Sequence, residues 1–213
     1  MLRQMAQSKH LLDQVITIAE GELRRLQFRK TKGVYICQLD KDAYGWVGLN
    51  TVAHRSDGRV GINPVLGVRY EPMERMVCEL LGEKESILAP SISTSAGYLM
   101  PEGQYMEWLF EPAPFDYRSE CERMVECVEL YGLPFMKSNS KLEIILHDLE
   151  QLRFASKDTA AYRLPVAFLL SGQNEPALTH VSRQLEELKT RSDLAAQEYK
   201  KFAGNILAKL GDG

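Results

Sequence analysis

The spacing of apolar positions changes along the chain, and each change predicts a change of secondary structure. Between residues 9 and 27 apolar side chains recur three and four positions apart, the spacing of an amphipathic helix with one buried face. The next segments are β-like, with strands predicted over 34–39, 43–54 and 60–70. Asp57-Gly58 between the last two predicts a hairpin, because glycine adopts a positive φ without strain.

Prolines and glycines refine this pattern. Pro64 cannot donate a ladder hydrogen bond, so we expect its strand at a sheet edge or the proline at a bulge. A helix is predicted to begin at Pro72 and to end at Gly82, since proline favours the first turn and glycine the C-terminus. Residues 83–96 are predicted to be a loop, and a second hairpin is expected over 97–110.

From Asp116 onward the pattern is entirely helical. We expect a first helix that ends at Gly132, a second with a leucine-rich buried face, and two more over 159–171 and 175–209. The expected cap residues are Asp116 or Ser119 for the first helix and Ser138 or Ser140 for the second. Because Pro165 interrupts the third pattern, the residues before it are interpreted as a lead-in.

These elements predict an α+β fold. The sheet is expected to be mostly antiparallel with four to five strands, helices on one face and a C-terminal helical extension. Two parts are predicted, an α+β sheet domain over 1–115 and a helical region over 116–213 packed on it.

Charge and hydropathy narrow the possible partners. The 213 residues include 26 Lys or Arg and 29 Asp or Glu, a net charge of −3, which gives no reason to expect direct binding of nucleic acid. The most apolar run, Leu164–Leu170, is far shorter than the about 20 residues that cross a bilayer. No membrane association is expected.

The cysteines and the N-terminus bear on location. Residues 1–10 are polar and predict no secretory signal. The four cysteines form no CxxC pair, and each stands among apolar neighbours, so we interpret them as free buried thiols in a reducing cytoplasm. They are Cys37, Cys78, Cys121 and Cys127.

Known catalytic and metal-binding patterns are missing from the sequence. No histidine lies three or four residues from another histidine or from a cysteine, and zinc sites need closely converging ligands. There is no GxSxG nucleophile elbow and no glycine-rich phosphate loop with its lysine. We therefore predict no metal, no cofactor and no enzymatic activity.

One segment combines carboxylates with aromatic residues, and it is the predicted partner-binding site. The predicted contact residues are Tyr98, Glu102, Tyr105, Glu107 and Trp108. Tyrosine and tryptophan give large contact areas at low entropic cost. Two other interpretations remain open: a pair of carboxylates that share acid and base roles, or a polar strand face opposite a core-facing side.

Several short motifs carry a family resemblance over about residues 10–150. They are Leu26-Gln27-Phe28-Arg29-Lys30, the strand Gly33–Leu39, Asn50, Gly61-Ile62-Asn63 with Leu66-Gly67-Val68, Trp108, and Tyr131-Gly132-Leu133-Pro134-Phe135. With these motifs the chain resembles a bacterial family of uncharacterised domains often found near polymorphic toxin genes. The resemblance implies an immunity protein, which neutralises a secreted antibacterial toxin by binding it.

The leading hypothesis is therefore a cytoplasmic immunity protein of a contact-dependent or type VI secretion system. Its expected partner is a toxin domain, for which a nuclease is one candidate. Two alternatives stay open: a small hydrolase-type enzyme that uses carboxylates near Trp108, and a helical adaptor or scaffold that holds a partner peptide in a groove.

Overall fold

The computed structural model describes residues 2–53, 58–84 and 89–211. Eight α-helices and six strands are assigned within these ranges. The helices are α1 (Leu2–Arg25), α2 (Glu71–Leu81), α3 (Tyr117–Cys127), α4 (Leu133–Ser138), α5 (Leu142–Glu150), α6 (Lys157–Leu170), α7 (Asn174–Glu187) and α8 (Leu194–Gly211). The strands are β1 (Arg29–Thr31), β2 (Val34–Gln38), β3 (Ala43–Ala53), β4 (Val60–Tyr70), β5 (Ile92–Ser95) and β6 (Trp108–Phe110).

The chain divides into two compact units that each draw on separate stretches of sequence. The first unit comprises Met1–Leu39, Tyr44–Val68 and Ser93–Ser138, and the second comprises Asp40–Ala43, Arg69–Ile92 and Asn139–Gly213. The grouping differs from the predicted boundary between 115 and 116. The helix α3 groups with the sheet strands, and α2 groups with the C-terminal helices.

The strands form one sheet in the order β1-β2-β3-β4-β5, with β6 paired to β4. The pairs β1–β2, β2–β3 and β4–β6 are antiparallel, with Ile36 opposite Trp46 and Ile62 opposite Trp108. The predicted α+β class with a mostly antiparallel sheet is therefore confirmed, with six strands. The hairpin prediction is confirmed in that β3 and β4 are neighbours and Gly58 has φ 76°, while Asp57 lies outside the described residues.

Pro64 corrects one strand prediction. The strand β4 is not an edge, because it has β3 on its path to one side and both β5 and β6 as further neighbours. Pairing with β6 covers only Val60–Ile62, so Pro64 lies beyond the end of that ladder, after Asn63. A residue without an N–H is tolerated where a strand has no ladder hydrogen bond to donate.

The predicted hairpin over 97–110 is wrong. Ala96–Tyr98 form a single turn of 3-10 helix, and only Trp108–Phe110 form a strand, which pairs with β4. The segment predicted as a loop over 83–96 instead contains β5. Pro101 does lie in a turn, but the strand that pairs with Trp108–Phe110 is distant in sequence.

The helix predicted to end at Gly132 continues beyond it. After α3 the chain forms a π-helical segment, Val128–Gly132, and runs directly into α4. A Cβ at position 132 would lie 2.8 Å from Cδ1 of Leu66, so the glycine permits close packing inside the first unit instead of stopping the helix. The wider turn of a π-helical segment accommodates an extra residue within a helix.

Some helix termini agree with prediction and some do not. The α2 helix ends at Gly82 as predicted, with φ 72°, and Asp116 caps α3 by accepting from the Ser119 N–H. The second cap is wrong, since α5 begins after Lys141 without a side-chain cap. The single helix predicted over 175–209 is two helices, α7 and α8.

The structure also bears on the predictions about the cysteines and about membrane-spanning helices. Cys37, Cys121 and Cys127 are buried and Cys78 is half-buried, and all four are free. Among the described residues, no helix combines the length and the apolar character needed to span a bilayer.

Candidate functional site

The five predicted contact residues lie in the first unit between the 3-10 turn and β6. Tyr98 and Tyr105 each have 55% of their surface exposed, Glu102 is exposed and Glu107 is half-buried. Trp108 is different, because only 2% of it is accessible. Its ring belongs to the core, so the prediction that Trp108 contacts a partner is wrong. Its burial agrees instead with the interpretation of this segment as a polar strand face opposite a core-facing side.

Contacts of Asn63 and of Gly97 hold the backbone of the segment that carries Tyr98 and Tyr105. The Nδ2 of Asn63 donates to Oγ of Ser95 at 2.7 Å and to the Met106 carbonyl at 2.5 Å. A Cβ at position 97 would lie 2.3 Å from the Gln104 carbonyl oxygen, so the Gly97 backbone packs directly on the loop that carries Tyr105. Because Gly97 precedes Tyr98, both tyrosines are held close together by backbone contacts.

The strand β6 adds an outward-facing leucine and a carboxylate. Trp108 and Phe110 face the core, whereas Leu109 between them is 38% exposed. Leu109 stands opposite Gly61, and the Glu107 side chain covers the bare Cα of that glycine, where a Cβ would lie 1.5 Å from Oε1. We define the tyrosine surface as the set of exposed and half-exposed residues Tyr98, Glu102, Tyr105, Glu107 and Leu109.

The sequence around this surface is acidic. Residues 89–117 contain Glu102, Glu107, Glu111 and Asp116 and no lysine or arginine. An exposed patch that combines tyrosines, a leucine and carboxylates suits a protein surface of opposite charge.

The described parts of the chain were compared with the requirements of a metal site and of a reactive thiol. No group of three or more His, Cys, Asp or Glu side chains there converges to hold a metal ion. Burial raises the pKa of Cys37 to about 11, that of Cys121 to about 12 and that of Cys127 to about 11. Thiols with such pKa values are almost wholly protonated at neutral pH, and the thiolate is the reactive form.

A second candidate lies in the second unit, where residues of α5, α6, α7 and α8 line a cavity of about 860 Å³ that is open to solvent. Tyr162 and Tyr199 form an aromatic wall, with ring centroids 5.3 Å apart in an edge-to-face arrangement. Leu149, Leu164 and Leu188 supply apolar lining. This cavity was not predicted from the sequence.

His180 is the buried polar group of the cavity lining. It is 8% exposed, and its Nε2 has no hydrogen-bond partner among the described residues. Burial, followed by the nearby Arg183 cation, lowers the pKa of His180, while hydrogen bonding of the ring with the Ala161 backbone acts in the opposite direction. The imidazole is therefore neutral at physiological pH.

A proline creates the second polar feature of this cavity. Pro165 lies inside α6, and since it has no N–H, the Ala161 carbonyl four residues earlier lacks its usual helical donor. The Tyr199 hydroxyl donates to that carbonyl, but at a long 3.5 Å. Burial also raises the pKa of Tyr199, so its hydroxyl keeps its proton. The sequence signal was Pro165 itself, which we interpreted as a helix boundary.

Searches of protein-family models, curated proteins and solved structures found no match to this chain. The resemblance to the toxin-associated family therefore stays a hypothesis carried by the motifs of the sequence.

Proposed function

We propose that the chain is an immunity-type binding protein whose tyrosine surface covers a basic face of a toxin domain. The observation that carries this proposal is the exposure of Tyr98 and Tyr105 on a segment pinned by Asn63 and Gly97. Large apolar side chains are normally scattered singly on a protein surface, whereas binding surfaces group them on ordered backbone. Preorganised contact residues lose little entropy on binding.

The acidic sequence selects the partner class. Residues 89–117 carry four acidic side chains and no lysine or arginine, a composition that complements a surface rich in Lys and Arg. Proteins that act on nucleic acid carry such basic surfaces, because phosphate binding needs them. A nuclease toxin domain fits this chemistry, and the protein would inhibit it by occupying its phosphate-binding face.

The first experiment identifies the partner by crosslinking from defined positions on the surface. A photo-crosslinking amino acid replaces Tyr98 or Tyr105 in the full chain, and a matched control places it at Leu178, which is 43% exposed on α7. Crosslinking is done in the native cell and the product is identified by mass spectrometry. We expect a basic protein at the two tyrosine positions and none at Leu178. Equal products at all three positions would contradict the proposal.

The second experiment tests the immunity role with the captured protein. Expressed alone it should stop growth, and co-expression of the wild-type chain should restore growth. Replacing Tyr98 or Tyr105 with alanine should weaken binding at least about tenfold, as for a typical hot-spot residue. Leu178→Ala is the control and should bind normally. A captured protein without toxicity, or full affinity in the Tyr98→Ala/Tyr105→Ala double variant, would overturn the proposal.

Electrostatics gives an independent measurement. Glu102→Lys reverses an exposed charge of the tyrosine surface, so association should slow at low ionic strength and the difference should shrink as salt is added. Stopped-flow association rates over a salt series provide the result. A salt-independent difference would show that Glu102 does not face a charged partner.

A further inference from the structure

We infer that a basic surface of the first unit binds the phosphate backbone of double-stranded nucleic acid without reading its sequence. The surface belongs to residues 24–32, a segment with five cationic side chains and no acidic one. We call it the basic corner, and its cations are Arg24, Arg25, Arg29, Lys30 and Lys32. The net charge of −3, which gave no reason to expect nucleic acid, is an average over this surface and the acidic residues elsewhere. The inference is independent of the tyrosine surface.

The end of α1 and the first hairpin of the sheet bring these cations together. Arg24 and Arg25 end α1, and Arg29 and Lys30 belong to β1. Lys32 lies in the turn between β1 and β2. All five side chains are exposed, with 69% of Arg24, 74% of Arg25 and 44% of Lys30 accessible. The strand β1 is also the first in the order of the sheet, so the cations lie at its edge.

Two carboxylates of α1 hold three of the cations in position. Glu20 accepts from Nη2 of Arg24 at 2.6 Å and from Nζ of Lys30 at 3.0 Å. The buried Glu22 accepts from Nη1 of Arg25. Two acidic side chains beside five cations leave the corner positive, and the exposed guanidinium and ammonium groups keep further donors for phosphate oxygens.

Lys32 occupies a backbone position that does not favour lysine. The turn between Thr31 and Val34 contains only Lys32 and Gly33, with φ of 48° and 89°. A positive φ at both positions defines a hairpin turn for which asparagine followed by glycine is favoured. Most other side chains adopt this conformation only with strain. The tip of the hairpin therefore carries a positive charge where a neutral asparagine would suit the backbone better.

The burial of the aromatic residues favours a duplex as the partner. Phe28 is 1% exposed and Tyr35 is 2% exposed, so neither ring is available for the base stacking on which single-strand binding depends. Cations alone are sufficient for a duplex, because its phosphates lie on the outside. Leu26 is half-buried, so the corner also lacks the exposed apolar side chains that insert into a membrane surface.

Cations in these places also serve the fold. Positive side chains suit the C-terminus of a helix, and lysines protect the edge of a sheet from further pairing. A purely structural role predicts that their removal alters stability alone. Lys32 separates the two roles, because Lys32→Asn supplies the residue that the turn favours and removes the charge.

A salt series on the full chain tests the inference. A short fluorescent DNA duplex is titrated with the protein at increasing KCl concentration, and binding is followed by anisotropy. Contacts to two to five phosphates predict that log K falls against log salt with a slope of roughly −2 to −4.5. One strand of the duplex and phosphatidylserine vesicles are measured beside it. Absence of salt-dependent duplex binding, binding of the single strand at least as tight, or binding of vesicles in place of the duplex would overturn the inference.

Variants assign the binding to the corner. Lys32→Asn should raise the melting temperature and yet weaken duplex binding, with a salt slope smaller by about 1. Arg29→Gln/Lys32→Asn should reduce the slope by about 2. Lys189→Gln is the control, since Lys189 is 70% exposed in the second unit, and it should bind as the wild type does. Unchanged affinity and slope in the double variant would refute the assignment whatever its stability.

Discussion

Removal of one arginine in the second unit should cost more stability than removal of any exposed ion pair. The Glu74 side chain is 3% exposed and Arg163 is 13% exposed, and they meet through two hydrogen bonds, Nε to Oε1 at 2.7 Å and Nη2 to Oε2 at 2.8 Å. The Ser91 hydroxyl also donates to Glu74 and accepts from the Tyr70 N–H. A buried carboxylate is thereby held by three hydrogen bonds.

Arg163→Met leaves that carboxylate buried without its counter-charge. Breaking a buried pair in this way costs about 3–5 kcal/mol. For a chain of this length each kcal/mol lowers the melting temperature by about 2–4 °C, so a decrease of about 6–20 °C is expected. Urea unfolding followed by far-UV circular dichroism measures the free energy directly.

A double variant tests the cause of this loss. Glu74→Leu/Arg163→Met removes both charges, and the remaining cost should fall to about 1–3 kcal/mol from the Ser91 hydroxyl that loses its acceptor. Lys189→Met is the control, because its pair with Glu186 is about 70% exposed on both sides and should contribute less than about 1 kcal/mol. A single variant as stable as wild type, or a double variant no better than the single, would refute the reasoning.

Three further predictions concern a glycine, a carboxylate and the thiols. Gly97→Ala brings a Cβ within 2.3 Å of a backbone carbonyl that cannot move freely, so thermal unfolding should show a loss of about 1–3 kcal/mol, and an unchanged melting temperature would contradict the contact. Burial raises the pKa of Asp148 in the folded protein, so the contribution of this side chain to stability is present below the unfolded pKa near 3.8 and is lost as the pH rises through the folded pKa. Asp148→Asn should therefore be more stable than the wild type at neutral pH. Urea unfolding at a series of pH values should show that this difference vanishes near pH 3.8. Iodoacetamide should label the half-buried Cys78 in the folded protein, while the buried Cys121, with a pKa of about 12, should react only after unfolding, as read by mass spectrometry.

Local signals in the sequence predicted those elements whose cause is local. The end of α2 at Gly82 and the cap of α3 at Asp116 each depend on one residue and the turn beside it. A core-facing side around Trp108 was one of three interpretations left open by the sequence, and the burial of Trp108 and Phe110 agrees with it. The sequence pattern could not say which of the aromatic residues face outward beyond the strand.

Long-range packing decided what the sequence did not predict. Pro101 and Gly103 indicate a turn, but β6 pairs with β4, nearly fifty residues earlier, and no local pattern identifies that partner. Gly132 was expected to end a helix, whereas its function in the fold is to admit Leu66 at close range. In each case a glycine or proline rule predicted the common outcome, and a tertiary contact required the less common one.

The exposed tyrosines and the cavity differ in how far the sequence could reveal them. Tyr98 and Tyr105 were singled out because they are close in sequence to carboxylates. His180 and Tyr199 are on separate helices, α7 and α8, and both approach the Ala161 carbonyl, which lacks its helical donor because of Pro165. Pro165 inside a helical pattern is thus the one sequence feature that indicates this part of the cavity. It does so only once α6 is known to continue through the proline.

Asp148 and His180 are buried in the second unit, and they differ in how their burial is offset. Oδ1 of Asp148 lies 3.2 Å from Nη1 of Arg153, within ion-pair distance, but neither carboxylate oxygen is aligned for a hydrogen bond. His180 interacts with the Ala161 backbone and is neutral, so its burial costs no charge. Asp148 has only the Arg153 ion pair to offset its burial, so its neutral replacement should raise stability. If Asp148→Asn instead lowered stability at neutral pH, the ion pair with Arg153 would outweigh the burial of the carboxylate.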